Sequence, residues 1–449
     1  MEQVILEDAL AQIRAALEAN DLMTASSIVE ALRPADQADL FSELDEEEQN
    51  TLLPELNPAD AADILEELYD EEVAEIAVQL PISTLVRIID EMEPDEAADL
   101  LDDLEPEQAE ALLSRLRAAH EVQHLIHYPD DTAGGLMTSA YIALQRRMTA
   151  AEAIAAIRAW RPDEETIYYL FVTDRLKRLA GVINLRQLIV ADPATLISRI
   201  MDSDVIYVTP DTDQEDCADL MLRYDLLALP VVDENKTLLG IITIDDLVDV
   251  IQDEASEDIQ RLGGTEPLDR AYLDTSTWAI TRKRIGWLLL LFITATLTGL
   301  VMDSFQNELQ AAVALSIFIP MLIGTGGNAG SQTTATIIRA IAVGDIEWSD
   351  AWRVWLHEMG IGLTLGLGMG VIAYILAMIW VKDTSLALTV AASILVIVLW
   401  ATGAGSLLPL LAIRLKIDPT VVSGPVMSTL VDATGLFIYF NIARLILGL

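Results

Sequence analysis

Charge in this chain stops abruptly near residue 281, and that boundary limits what it can fold into. Residues 1–281 hold 62 of the 71 acidic residues and 18 of the 27 basic ones, a net of −44. Residues 282–449 carry 9 acids and 9 bases and are mostly apolar. A very acidic soluble half is therefore joined to a hydrophobic half. Crowded carboxylates repel one another, so a compact acidic half is strained unless cations neutralise it. Hard divalent cations prefer carboxylate oxygens. The composition points to a membrane protein whose soluble half responds to divalent cations. It also argues against nucleic acid as a partner, because a phosphate backbone would be repelled.

A single cysteine, Cys217, excludes an intrachain disulfide, and with four histidines it argues against a thiolate zinc site. Both features suit a reducing cytosol for the acidic half. The N-terminal stretch, 1–30, alternates charged and apolar positions, so no signal peptide is expected.

Leu32, Leu44, Leu56, Leu68, Leu80, Met92, Leu104 and Leu116 stand at equal intervals along the chain. Proline follows closely at Pro34, Pro58, Pro81, Pro94 and Pro106. Each unit predicts a short helix with proline in its first turn and acids near its start. One such helix cannot bury its own apolar stripe, so the units are expected to stack into a superhelix.

Beyond residue ~130 the pattern changes to two similar β-rich runs. One is Tyr169–Asp174 followed by Gly181–Leu188; the other is Ala228–Asp233 followed by Gly240–Leu247. Gly181 and Gly240 hold equivalent places in the two runs, and Met137-Thr138 and Met201-Asp202 mark matching starts. Each run predicts a strand, a turn, a second strand and a capped helix. This resembles a tandem pair of cystathionine-β-synthase (CBS) domains. Such pairs are regulatory and often bind adenosine nucleotides, which implies a site for ATP near Tyr169 and Arg186. Residues ~248–278 then predict a long polar helix, interrupted at Gly263-Gly264 and Pro267.

Five hydrophobic stretches follow, at about 284–302, 311–341, 354–381, 386–412 and 421–447, each long enough to span a bilayer. Arg282, Lys283, Arg284, Arg339, Arg353, Arg414 and Lys416 lie on one side of these spans; the opposite loops offer Lys382. The positive-inside rule then places residues 1–281 in the cytoplasm of a multi-pass protein of the cell (inner) membrane.

The second span contains Pro320 and the run Gly324-Thr325-Gly326-Gly327-Asn328-Ala329-Gly330-Ser331-Gln332-Thr333-Thr334. These residues weaken a helix, so the helix is expected to open here and turn carbonyls, Asn328, Gln332 and hydroxyls toward a hydrated ion. A phosphate-binding loop is the rival, but no strand precedes the run. Gly362, Gly366 and Gly370 in the third span suit close helix packing. Asp432 lies well inside the last span, where an ionisable group costs at least about 2.5 kcal/mol. No base shares its span until Arg444, so it is expected to face water and a cation. Glu358 is the other membrane acid, near the cytoplasmic end. His120-Glu121-Val122-Gln123-His124 fits the zinc-peptidase pattern, with His127 a turn further on, but a linker helix explains it as well. No nucleophile–base pair is evident, so the chain is not expected to be an enzyme.

The order of acidic repeat, CBS pair, connecting helix and five spans, with the Gly324–Gly330 run and Pro425…Asp432, resembles the bacterial MgtE-type magnesium transporters over nearly the whole chain. The resemblance implies a multidomain homodimer in the lipid bilayer. Its parts are an α-helical superhelical repeat domain (1–128), an α/β tandem CBS pair (129–252), a connecting plug helix (253–281) and an all-α five-helix transmembrane domain (282–449). It implies a Mg²⁺-gated Mg²⁺ channel; rivals are transport of Mn²⁺ or Co²⁺ and a CBS-regulated channel of other selectivity. It assigns the pore carboxylate to Asp432, with Asn328, Ser428 and Gly435 beside it. It assigns cytosolic Mg²⁺ sensing to Asp63, Asp95 and Asp99 in the repeats and to Asp213, Glu215 and Asp225 as one site in the CBS pair. Asp246, Asp249, Glu254, Glu257 and Asp258 match acids around the connecting helix, and Asp418 matches a partner for the sensor. Gly424 stands where the family can have asparagine, and Leu226 where it can have an aromatic residue.

Overall fold

A computed structural model describes residues 2–160, 169–268, 270, 272–273 and 275–448. The chain forms two compact units, Met1–Glu254 and Ala255–Leu449. One period of the N-terminal repeat corresponds to one helix. After α1 (Glu2–Glu18) come α2 (Leu22–Val29), α3 (Pro34–Ser42), α4 (Glu46–Leu52), α5 (Pro58–Glu66), α6 (Asp70–Gln79), α7 (Ile82–Ile89), α8 (Pro94–Asp102) and α9 (Pro106–Leu113). Helices α2 to α9 thus start at the same constant interval as the leucines. Proline opens α3, α5, α8 and α9, where its missing N–H costs nothing. Next comes α10 (Ala119–Leu125).

Helices two apart pack on one another: α1, α3, α5, α7 and α9 form one row, and α2, α4, α6, α8 and α10 the other. Leu44, Leu56, Leu80 and Leu104 are buried between them in one continuous core with Phe41 and Leu85, as the stacked repeat predicts. Some acids have a structural role in this stack. Carboxylates at helix ends accept backbone N–H bonds 27 residues further on: Glu30 from Asn57 at 3.0 Å, Glu66 from Glu93 at 2.7 Å and Asp90 from Arg117 at 2.7 Å.

The α/β part contains β1 (Ala143–Gln145), α11 (Ala150–Trp160), β2 (Tyr169–Thr173), β3 (Leu179–Asn184), α12 (Leu185–Val190), α13 (Gln214–Tyr224), β4 (Ala228–Val232), β5 (Leu238–Thr243) and α14 (Ile244–Leu262). In the first half, β1 runs parallel to β2, which pairs antiparallel with β3. In the second half, a parallel bridge from Val208 to Val231 replaces β1, and β4 pairs antiparallel with β5. Both hairpins carry a bulge at the same place, after Val172 and after Val231.

The matching Met starts cross over between the halves. Asp202 bridges to Val182 of β3, and Thr138 bridges to Ile241 of β5. A Cβ on Gly181 would lie 2.6 Å from the Asp202 carbonyl, and one on Gly240 would lie 2.8 Å from the Thr138 carbonyl. This close backbone approach is what requires glycine at both positions.

The polar stretch after the CBS pair is a helix only to Leu262, where Gly263-Gly264 ends it; residues 269, 271 and 274 lie outside the described residues. Unit 2 continues with α15 (Thr277–Ser304), the short α16 (Gln306–Ala311), α17 (Leu315–Ala342), α18 (Ala351–Trp380), α19 (Thr384–Arg414) and α20 (Gly424–Leu447). Four of these helices are long and apolar enough to cross a membrane: α15, α18 with the turn before it, α19 and α20. The second expected span, α17, has 28 residues, but its middle is the polar Gly324–Thr334 run. It packs against α19 and α20 around Phe318, Ile397, Val431 and Tyr439. Gly362, Gly366 and Gly370 are buried on α18, against α19, as their spacing predicts.

One expectation fails here. The Gly324–Gly330 run does not open its helix; α17 is continuous from Leu315 to Ala342 with Pro320 inside it. Packing outweighs the weak helix propensity. A Cβ on Gly326 would sit 2.4 Å from Ile397 Cγ2 and 2.8 Å from Val431 Cγ1. The glycines let three helices approach, and the backbone bonds stay closed within the helix. Gly326→Ala is therefore expected to destabilise unit 2 by about 1–3 kcal/mol through overpacking. A lower melting temperature of the full chain in detergent checks this; an unchanged one would mean that Ile397 and Val431 can yield.

Candidate ion pathway and cytosolic acid clusters

Where α17 meets α20, small polar groups collect. Ser331 Oγ donates to the Gly424 carbonyl at 3.0 Å and lies 3.3 Å from Ser428 Oγ. A Cβ on Gly327 would lie 3.2 Å from Ser428 Oγ. Asn328, the next residue, is exposed. Asp432 follows Ser428 by one turn, about 6 Å along α20. Gly435 is buried against Ile397 and is placed by packing. Trp400 Nε1 donates to Thr434 Oγ1 at 2.9 Å beside this stretch.

Asp432 is half-buried and has no hydrogen-bond or ion-pair partner among the described residues. Arg444, the base of the same helix, is already engaged: its Nε donates to Glu308 Oε1 at 2.5 Å, and its guanidinium stacks over Phe305. Glu358, the other membrane acid, is buried and accepts from Thr333 Oγ1 of α17 at 3.2 Å.

In unit 1 the acids fall into two clusters. The first joins α8 to α6, to the loop at Asp130 and to α14. Asp95 is buried with Oδ1 unpartnered, and burial, then Asp246, pushes its carboxyl well above the usual range. Glu96 is pushed up to about 9 by burial and by Asp99, Glu66, Asp246 and Asp70. Asp99 is pushed up to about 8 by burial and by Asp130, Asp70, Asp103 and Asp102. Asp70 is raised by burial and by Asp103, Asp130 and Asp253. The second cluster is smaller: burial, then Asp249, raises Glu67, while burial and Asp60 raise Asp63.

Of the expected sensing residues, Asp95, Asp99 and Asp246 lie in the first cluster, and Asp63 and Asp249 in the second. Asp246 also caps α14, accepting from Thr243 Oγ1 at 2.6 Å, and Glu254 accepts from Gln214 Nε2 at 2.7 Å. Glu96, Asp70 and Asp130 belong to the cluster but were not singled out from sequence. For Glu96 and Asp70 the one signal is membership in the repeat, which many other acids share; Asp130 lies in the loop that follows it.

Other assignments need correction. Asp213 is the N-cap of α13, accepting from the Glu215 amide at 2.9 Å, and Asp225 is its left-handed C-cap. The helix holds them about 18 Å apart, so Asp213 and Glu215 do not share one site with Asp225 within a chain. Glu257 and Asp418 are both ion-paired to Arg261. Asp258 lies beside Glu257 on α14. Tyr169, at the start of β2, faces Asn184 across the hairpin, and Arg186 follows just after it at the start of α12.

His120 and His124 approach to 3.3 Å between Nε2 atoms on α10, which packs on α8 as part of the repeat. Among the described residues no group of three or more His, Cys, Asp or Glu side chains is placed to hold a metal ion. His127 does not complete a zinc-peptidase site, and the acid clusters crowd without converging on one point.

These features define a class: a helical membrane protein with an acidic half built of stacked short helices and a CBS pair. Residues 319–442 match the MgtE divalent cation transporter family, residues 32–131 the MgtE intracellular N domain, and residues 197–253 a CBS domain. The magnesium transporter MgtE of Thermus thermophilus is 44% identical over 331 residues, 74% of this chain and 73% of that protein. That of Enterococcus faecalis is 38% identical over 327 residues, 73% and 72%. A crystal structure of the cytosolic domain of the Mg²⁺ channel MgtE in complex with ATP is 41% identical, with a TM-score of 0.51, and covers 54% of this chain and 99% of that one. The chain belongs to the MgtE family of transporters.

Proposed function

We propose that this protein is a Mg²⁺ channel that imports the ion across the cell (inner) membrane and closes when cytosolic Mg²⁺ is high. The observation that carries this reading is Asp432: a membrane carboxylate without a partner among the described residues, beside Ser428, with the one base of its helix held by Glu308. An acid at that depth needs a cation or water. Mg²⁺ keeps several of its waters and is met by one or two carboxylates. A single Asp432 per chain suits it poorly, and two from a homodimer suit it well. The exposure of α15, which has no buried residue and packs mainly on α20, supports such a partner. The relatives are named as magnesium transporters.

Residues 1–281 face the cytosol, as the basic loops indicate. Ions neutralise the crowded acids there and favour the compact, closed state; at low Mg²⁺ their repulsion favours the open one. Asp95, Asp99, Glu96 and Asp246 carry most of that response. The clusters crowd without converging, so the ions bind there with their water, weakly and cooperatively. ATP bound near Tyr169 and Arg186 would tune the CBS pair, as the ATP complex of the relative supports.

The test is flux through vesicles containing the full chain, titrating Mg²⁺ on the cytoplasmic side with Mn²⁺ and Co²⁺ as competitors. Mg²⁺ flux that falls as cytoplasmic Mg²⁺ rises is expected. Flux carried better by Mn²⁺ or Co²⁺, or indifferent to the cytoplasmic ion, would sink the reading.

A further inference from the structure

Residues 244–268 hold eight acids and a single base, Arg261. Its Nη1 donates to Asp418 Oδ2, 157 residues away, at 2.6 Å, and its other Nη pairs with Glu257 one turn back. Asp418 uses its second oxygen to accept the Thr420 amide at 2.8 Å, capping the short turn before α20. Arg261 therefore ties the last turn of α14 to the entrance of the helix that carries Asp432.

The backbone beyond Arg261 seats on the same place. Gly264 takes φ +73, a conformation that favours glycine, and a Cβ there would meet Pro425 Cγ at 3.3 Å. Gly424 lies under the Leu262 carbonyl, 4.0 Å from where its Cβ would be, and its own carbonyl accepts from Ser331 of α17. The end of α14, the start of α20 and the polar run of α17 thus meet at one point, two turns from Asp432.

We propose that Arg261 is a fixed internal cation that takes Asp418 and Glu257 in place of Mg²⁺. It acts as a positioning residue, latching the connecting helix to the pore entrance without metal. Three consequences follow. Asp418 is a latch acceptor and not an ion ligand in this state. Mg²⁺ acts on the acids upstream, and Arg261 carries their movement to α20. The geometry also demands a guanidinium's reach, since one head group must serve two carboxylates on separate segments. This rests on the gating reading above.

Two measurements on the full chain test it. The first is a double-mutant cycle of Arg261→Gln and Asp418→Asn, read as melting temperature in detergent with EDTA present. Losses that are not additive are expected, because the pair exists without metal; additive losses overturn the proposal. The second is flux against cytoplasmic Mg²⁺. For a half-exposed pair, Arg261→Gln is expected to raise the half-closing Mg²⁺ concentration roughly two- to fivefold. The swap Arg261→Asp with Asp418→Arg should return it toward wild type, which the loss of a merely structural contact would not predict. If wild type closes and Arg261→Gln closes at the same or lower Mg²⁺, the latch alone fails. If wild-type flux ignores cytoplasmic Mg²⁺, the gating reading fails and the latch with it.

Discussion

Replacing Asp432 with alanine is expected to cut Mg²⁺ flux at least about tenfold without lowering the stability of the protein. The two halves of that expectation come from the same fact. Asp432 is half-buried in α20 and has no partner among the described residues, and Arg444 is spent on Glu308. An uncompensated acid in a membrane helix costs free energy, so its removal should leave the melting temperature unchanged or raise it. A structural acid behaves in the opposite way: breaking a satisfied buried pair costs several kcal/mol. Glu308→Ala supplies a milder contrast: it removes the ion pair and hydrogen bond to half-exposed Arg444 and is expected to lower the melting temperature slightly. Ser428→Ala, one turn nearer the start of α20, removes a hydroxyl beside Asp432 and should reduce flux by a smaller factor. If Asp432→Ala conducts like wild type, the ion path lies elsewhere. If it loses flux and stability together, Asp432 holds helices and not ions.

Much of this architecture is legible in the sequence because its signals are periodic. Leucine at a constant interval sets the start of every helix from Leu22 to Pro106, and Gly181 and Gly240 mark where two backbones must touch. The failures share one cause: they depend on contacts that local sequence does not encode. Helix propensity says that Gly324–Gly330 should unwind, but Ile397 and Val431, on two other helices, need the space above Gly326. The family resemblance groups Asp213 with Asp225, but α13 places them at its two ends within a chain. Membership in an acidic repeat cannot single out Glu96 and Asp70 from their neighbours, nor can a loop position single out Asp130, because which acids are buried depends on how α6, α8 and α14 meet. The resemblance makes Asp418 a partner for the sensor, but its ion pair with Arg261 is visible only in the fold. The place of Asp432 inside a hydrophobic helix, in contrast, is legible at once, because a lone charge in a hydrophobic span is conspicuous without any tertiary information.

The acid cluster carries the second large expectation, and its sign is fixed by the direction of the shifts. Glu96 rises from an ordinary value of 4.5 to about 9, and Asp99 from 3.8 to about 8. The folded state therefore binds more protons than the unfolded state between those limits, so stability falls as pH rises through that window. With EDTA present, the melting temperature of the full chain should drop steadily from pH 5 to pH 9. Glu66, Asp70, Asp95, Asp130 and Asp246 surround these two groups and share the effect, so the slope belongs to the cluster. Glu96→Gln with Asp99→Asn fixes the neutral form. It should flatten the slope, raise the melting temperature at pH 8 and let the channel close at lower Mg²⁺. In the wild type, Mg²⁺ must displace these protons to bind. Adding Mg²⁺ at pH 7 should then release protons, and the half-closing Mg²⁺ concentration should rise with pH, because protons neutralise the same carboxylates and favour the closed state as the double substitution does. A slope that survives the double substitution would place the pH response on other groups. A double variant that is less stable at pH 8 would mean that these carboxylates are charged and paired in the folded protein, and repulsion between them could not then open the pore.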